Sequence, residues 1–252
     1  MKRVFLFFSF LSVLSFSMQA QGLKSMIKNA TKKDSTGKTS VDKMLGASAG
    51  KSSLTNDEII SGLKEALKVG TEKGANKLSA VDGFFKDAAV KILMPAEAQK
   101  AEKTLRNLGL GKQVDNAILS MNRAAEDAAK SAAPIFINAI KGMSFQDALA
   151  ILRGGDNAAT TYLKDKTTIS LTDAFRPVIE NSLKKVDATK YWNTVFTSYN
   201  KLSADKVNPD LSAYVTEKAL AGIFYQVAQE EQKIRKDPMA RTSDILKKVF
   251  SN

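Results

Sequence analysis

The amino-acid sequence predicts an all-α fold, a single multi-helix, bundle-like domain over residues 54–252 with one long kinked helix and one buried central helix. Three observations carry this. Apolar residues recur at three- and four-residue steps through most of the body. No run of clean apolar–polar alternation is long enough to build a sheet. Capping residues, prolines and glycines fall between the periodic segments, where helices start and stop. No segment repeats another at a fixed period, so the domain is not a solenoid.

The elements follow in order. Thr55-Asn56-Asp57-Glu58 is a capping box. Ile59, Leu63, Ala66, Leu67, Gly70 and Gly74 continue its helix with one apolar face, smooth enough at its far end for close backbone contact. Residues 79–94 lose the period and read as an irregular, partly extended connection carrying Gly83 and Phe84-Phe85. Pro95 suits a first helical position, and that helix stops at Gly109-Leu110-Gly111. From Val114 through Ile118, Met121, Ala125, Ala128, Ala132 and Ile135 to Ala139 the steps alternate between four and three, which predicts one long helix kinked by Pro134.

Ser144 to Asp147 opens a short helix ending at Gly154-Gly155, and Asp156 is placed to cap the next through Tyr162-Leu163. Thr168 to Val186 forms a separate candidate, with Pro177 in its first turns. Asp187 to Leu202 carries Tyr191, Trp192, Val195, Phe196 and Tyr199 on an aromatic face. Asn208-Pro209 reads as an N-cap and first helical position for a helix reaching Lys236. Between Ala219 and Ala228 it is apolar on nearly all sides, the mark of a helix surrounded by others. Asp237-Pro238 ends it, and Ser243 caps a last short helix with Ile245, Leu246, Val249 and Phe250.

The first twenty residues stand apart. Met1-Lys2-Arg3 is a positive n-region, Val4 to Phe16 an uncharged apolar run, and Ser17 to Ala20 ends in a small residue, the order of a secretory signal peptide cleaved before Gln21. The run is too short for a membrane anchor, so the mature form is expected to be exported without a transmembrane segment. Residues 21–53 hold seven Lys against two Asp and few apolar residues, which makes them a basic flexible linker able to touch an anionic surface. Within it, Gly46 to Ser52 imitates a phosphate-binding loop. It has one residue too few between the glycines and no strand before it, so it is rejected.

Composition excludes much chemistry. The chain of 252 residues has no Cys and no His. That removes Cys/His zinc sites, His-ligated haem, Ser-His-Asp triads, Cys nucleophiles and disulfides. Carboxylate pairs, Lys or Tyr acid–base groups and oxygen-ligated Ca²⁺ or Mg²⁺ sites remain open, while no cofactor and no particular metal ligand is assigned. The body lacks the Arg–aromatic interleaving of single-strand binders, so no nucleic-acid partner is expected.

Four segments, LRNLGLGKQVD (105–115), MNRAAEDA (121–128), ILRGGDNAATTYLKDKT (151–167) and EEQKIRKDP (230–238), together resemble the bacterial exported DUF4197 family in order from Leu54 to Phe250. The resemblance implies a helical fold and a location in the periplasm or cell envelope. It brings no activity, ligand or catalytic residue to any position.

Candidate sites are charged. Arg153-Gly154-Gly155-Asp156 has a full structural explanation: Gly ends one helix, Arg153 complements its dipole, and Asp156 caps the next. Arg123, Glu126, Asp127 and Lys130 share a face and read as a solvated ladder; Glu230, Glu231 and Arg235 have the same reading. Tyr191, Trp192 and Tyr199 suit a core stripe better than a sugar platform. If a ligand site exists, it is expected where the kinked helix meets the Gly154-Gly155 junction and the charged end of the central helix, using Arg123, Glu126, Arg153, Asp156, Glu230 and Arg235 to hold a small polar, anionic or zwitterionic group. The favoured function is a non-catalytic binding or scaffold module with an envelope partner. A carboxylate-based, glycosidase-like hydrolase and a carrier of lipid or amphiphile are the alternatives.

Overall fold

A computed structural model describes residues 55–202, 206, 210–241, 247 and 249, and the side chains of residues 190, 191, 194, 195, 198, 199, 202 and 238 fall outside that description. The signal segment 1–20, the linker 21–53, the Asn208-Pro209 start and Ser243 of the last short helix lie outside the described residues. Among the described residues eight α-helices run in order: α1 (Asn56–Ser79), α2 (Gln99–Asn107), α3 (Gly111–Ala129), α4 (Ala132–Lys141), α5 (Phe145–Arg153), α6 (Ala158–Lys184), α7 (Ala188–Leu202) and α8 (Leu211–Lys236). Short 3₁₀ turns at Ala96–Ala98 and Pro238–Ala240 precede α2 and follow α8. The described residues contain no strand, and no single helix among them is long and apolar enough to cross a membrane. The fold is all-α.

Two helices form the centre. α8 packs against α1, α3, α6 and α7, and α6 packs against α3, α4, α5, α7 and α8. On α8, Val215, Ala219 and Ile223 are fully buried, and Phe224 meets Phe136 edge-on at 5.9 Å between ring centres. Burying Val215 or Ile223 contributes about 1.5–3 kcal/mol each. α8 is not enclosed on all sides, however: Glu217, Lys218, Ala221 and Tyr225 form an exposed strip. Gly222 lies on the buried side, where a Cβ would come within 2.5 Å of the Phe84 ring.

Three sequence expectations are corrected. The long helix from Val114 to Ala139 is two helices, broken at Lys130-Ser131. Pro134 explains the place: its missing amide leaves the Lys130 carbonyl without its helical donor, and its ring crowds that carbonyl. Conversely, the two helices expected on either side of Lys164–Thr167 are one, α6, with Pro177 inside it. Leu163, Thr167, Leu171, Phe175, Ile179 and Leu183 step by fours down its buried side, and the Thr167 hydroxyl donates to the Leu163 carbonyl at 2.6 Å. Such a stripe turns about 40° around the helix per step, which suits a helix with five neighbours. The helix reaching Lys236 starts at Leu211, with Asp210 as its N-cap, whose side chain accepts from the Ala213 amide.

Other expectations hold. Ser144 and Asp147 form a complete capping box at α5. Gly70 and Gly74 let α1 approach α8 at Glu230 and Gln226. Trp192 and Phe196 are buried, 4.3 Å apart between ring centres, as a core stripe requires.

Candidate functional site

The six charged residues expected to converge are divided between two places, and each place has a buried carboxylate at its centre. The first is on α3. Glu126 is only 4% exposed. One of its oxygens accepts the amides of Phe84 and Phe85 at 3.1 and 3.2 Å, and the other takes Arg123 at 2.6 Å. Arg123 also reaches Asp82 at 2.7 Å. Asp82 sits in the left-handed backbone region at φ 69°, where the chain leaving α1 turns back. One turn earlier on α3, buried Asn122 accepts the Ile92 amide at 2.9 Å and donates to the Ile92 carbonyl at 2.8 Å.

Together these groups hold the irregular segment 80–94 along α3. A segment without helix or sheet must find other partners for its buried amides and carbonyls, and Asn122 and Glu126 supply them. Phe84, so fixed, fills the space over Gly222. Arg123 and Glu126 are therefore structural members of the connection, not part of a solvated ladder. Asn122 has the same role. Its signal in the sequence is a polar residue one step from the apolar Met121 stripe.

The second place is the junction of α5, α6 and α8. Glu231, 7% exposed, takes the Ala159 amide at 3.0 Å on one oxygen. Its other oxygen takes the Thr160 amide and hydroxyl, both at 2.8 Å. Arg235, one turn on, donates to Glu231 at 2.9 Å and to the Ile151 carbonyl at 2.8 Å. A carboxylate thus meets the positive N-terminus of α6, and a guanidinium meets the negative C-terminus of α5. The roles expected of Asp156 and Arg153 at this junction are performed by an ion pair on α8. Asp156 does not cap α6. The N-cap is Asn157, which makes no side-chain capping bond, and Asp156 pairs with Lys236.

Arg153 is exposed, and Glu230 is half-buried where α8 passes Gly70. At this junction Arg235 holds the Ile151 carbonyl and Asp156 pairs with Lys236; Arg123 and Glu126 belong to the other network. A cavity of about 20 Å³ lies beside Glu231 and Arg235, lined otherwise by Leu63, Leu67, Val227 and other apolar or small groups. It has room for about one water.

Open grooves are larger. One of about 400 Å³ runs between residues 89–93 and α8, past Lys91, Lys218 and Tyr225. Beside it the Tyr214 hydroxyl donates to the Leu93 carbonyl at 2.9 Å, and burial, then Glu97 and Glu217, push that phenol up to about 12. A second groove, also about 400 Å³, lies between α4 and α6 at the start of α5. Among the described residues no group of three or more carboxylates is gathered to hold a metal ion.

The model of a family described as a protein of unknown function, DUF4197, matches residues 53–251. No curated protein and no solved structure matches the chain.

Proposed function

The chain belongs to the DUF4197 family, and from that starting point we propose that it is an exported, non-catalytic binding module of the bacterial cell envelope. The observation that carries this reading is the use made of the two buried carboxylates. Without His or Cys, an acid–base mechanism would fall first to buried Asp or Glu. Glu126 and Glu231 instead spend their oxygens on backbone amides and arginines, as structural members do. What is left for recognition is the open groove surface, where charges and aromatic rings stand half-exposed. A signal-like segment and a basic linker before the domain suit an envelope location.

Two measurements test this. Mass spectrometry of the protein from cell fractions should find an N-terminus at Gln21 in the envelope fraction; a cytoplasmic chain retaining Met1 would overturn export. A panel of chromogenic glycosides and esters should show no turnover. Turnover that disappears in Glu126→Gln or Glu231→Gln, with the fold retained, would overturn the non-catalytic reading and favour the carboxylate hydrolase.

A further inference from the structure

We propose that the groove between α4, the start of α5 and the middle of α6 binds a small zwitterion, a molecule with an ammonium at one end and a carboxylate or phosphate at the other. At about 400 Å³ the groove is in the range of ligand sites. Ile135 gives it an apolar side, and Asn138, Asp147, Tyr162, Lys166 and Ser170 give it polar ones.

The charged groups there are incompletely used. Both bonds that Asp147 accepts from Ser144, amide and hydroxyl, fall on Oδ2, at 3.0 and 2.7 Å. Its Oδ1 receives no donor among the described residues. Lys166 is exposed, makes no ion pair among the described residues, and stands 5.8 Å over the Tyr162 ring. Among the described residues the Tyr162 hydroxyl reaches only the Ala139 carbonyl, at 3.5 Å, the outer limit of a hydrogen bond. An acid and a base thus face one groove without closing on each other.

They are close enough to interact through space. Ser144 chiefly, and Lys166 after it, hold the Asp147 carboxyl below its ordinary value. Burial, and Asp147 after it, push the Tyr162 phenol up. A ligand ammonium on Asp147 Oδ1 and a ligand acid group on Lys166 Nζ, with the Tyr162 hydroxyl as second donor, would satisfy all three. A molecule with one charge leaves one of the two protein charges unmatched, so opposite charges on one ligand are what the groove selects.

The inference rests on the reading of the domain as a binding module, and its failure is separable, because turnover on the glycoside and ester panel is read independently. The test is a ¹⁵N NMR titration of the mature chain into the millimolar range with two probes, β-alanine and O-phosphoethanolamine. Ethylamine and acetate serve as single-charge controls. Saturable shifts confined to α4, the α5 start and central α6 are expected with at least one zwitterion. A response to the phosphate probe alone assigns a headgroup-like source, and a response to β-alanine alone an amino-acid-like one. Lys166→Met and Asp147→Asn should each weaken binding by about threefold or more, the size of one exposed charge pair. Asp147→Asn keeps an oxygen for the Ser144 cap, and among the described residues Lys166 makes no ion pair or hydrogen bond whose loss would unfold the chain. No saturable shift with either zwitterion, equal binding of ethylamine or acetate, or unchanged affinity in Lys166→Met would each overturn the proposal.

Discussion

Replacing Glu231 by Ala tests whether one ion pair on α8 joins α5 to α6. The substitution strips the amides of Ala159 and Thr160 and the Thr160 hydroxyl of their acceptor and leaves Arg235, whose side chain is 13% exposed, without its carboxylate. Loss of a helix cap costs about 1 kcal/mol, and removing one partner of a buried ion pair costs about 3–5 kcal/mol. These overlap, because the same oxygens serve both, so the expected loss is about 3–5 kcal/mol in all. Glu231→Gln keeps one acceptor and turns an NH₂ toward a donor, which places it between wild type and Ala. Urea unfolding followed by far-UV circular dichroism reads the change directly. Glu230→Ala is the control: Glu230 is half-buried and makes no capping bond among the described residues, so its loss should stay within about 1 kcal/mol. The adjoining 20 Å³ cavity offers the one compensation, since a water drawn into the enlarged space could partner the freed amides. A loss below about 1 kcal/mol for Glu231→Ala would refute the joint.

Three further outcomes follow from the same geometry. Gly222→Ala should cost about 1–3 kcal/mol by overpacking, because its Cβ would lie 2.5 Å from the Phe84 ring; a melting temperature equal to wild type would show that Phe84 moves freely. Asn122→Ala should cost about 2–4 kcal/mol, since it leaves both the amide and the carbonyl of Ile92 buried without partners, and hydrogen exchange should then rise first in residues 80–94. Stability should be level from about pH 5 to 7, where a chain without His has no side chain of ordinary pKa to titrate. It should fall on both sides. Asp82, held down by Lys86 and Arg123, and Asp87, held down by Lys77, lie below 3.8, so their contribution is present above that value and lost as pH falls through their folded values. Tyr214, pushed from 10.0 to about 12, contributes stability that is full below 10 and lost as pH rises toward 12. An acid transition beginning above pH 5 would contradict the assignment.

How far the fold could be read from the sequence is seen best in α6. Its buried side is a regular run of fours, but one position is Thr167, and a stripe defined by apolar side chains breaks there into two helices. The hydroxyl is tolerated because it bonds back to the Leu163 carbonyl, a local bond that periodicity does not register. The opposite error at Lys130-Ser131 has a different cause. The apolar spacing passes through the break unchanged, while the backbone must yield one turn before Pro134. Residue pattern reports which faces are buried; hydrogen bonding decides where a helix stops. Where the two signals agree, as at the Ser144-Asp147 cap, the boundary is legible.

The candidate sites divide along the same line. That Arg153-Gly154-Gly155-Asp156 joins two helices could be read locally, and so could the need for a cation at one end and an anion at the other. Which residues meet that need could not. Glu231 and Arg235 are a turn apart on a helix more than seventy residues away, and nothing local distinguishes buried Glu231 from half-buried Glu230. The distinction is set by which face of α8 meets the N-terminus of α6. There backbone amides without intrahelical partners repay the desolvation of a carboxylate. The same holds for Glu126, whose burial depends on a segment with no regular structure lying against α3. In a chain without His or Cys, then, charged residues on apolar helices are first to be read as partners for stranded backbone, and a binding site is to be sought where charges remain unmatched, as Asp147 and Lys166 do across the α4–α6 groove.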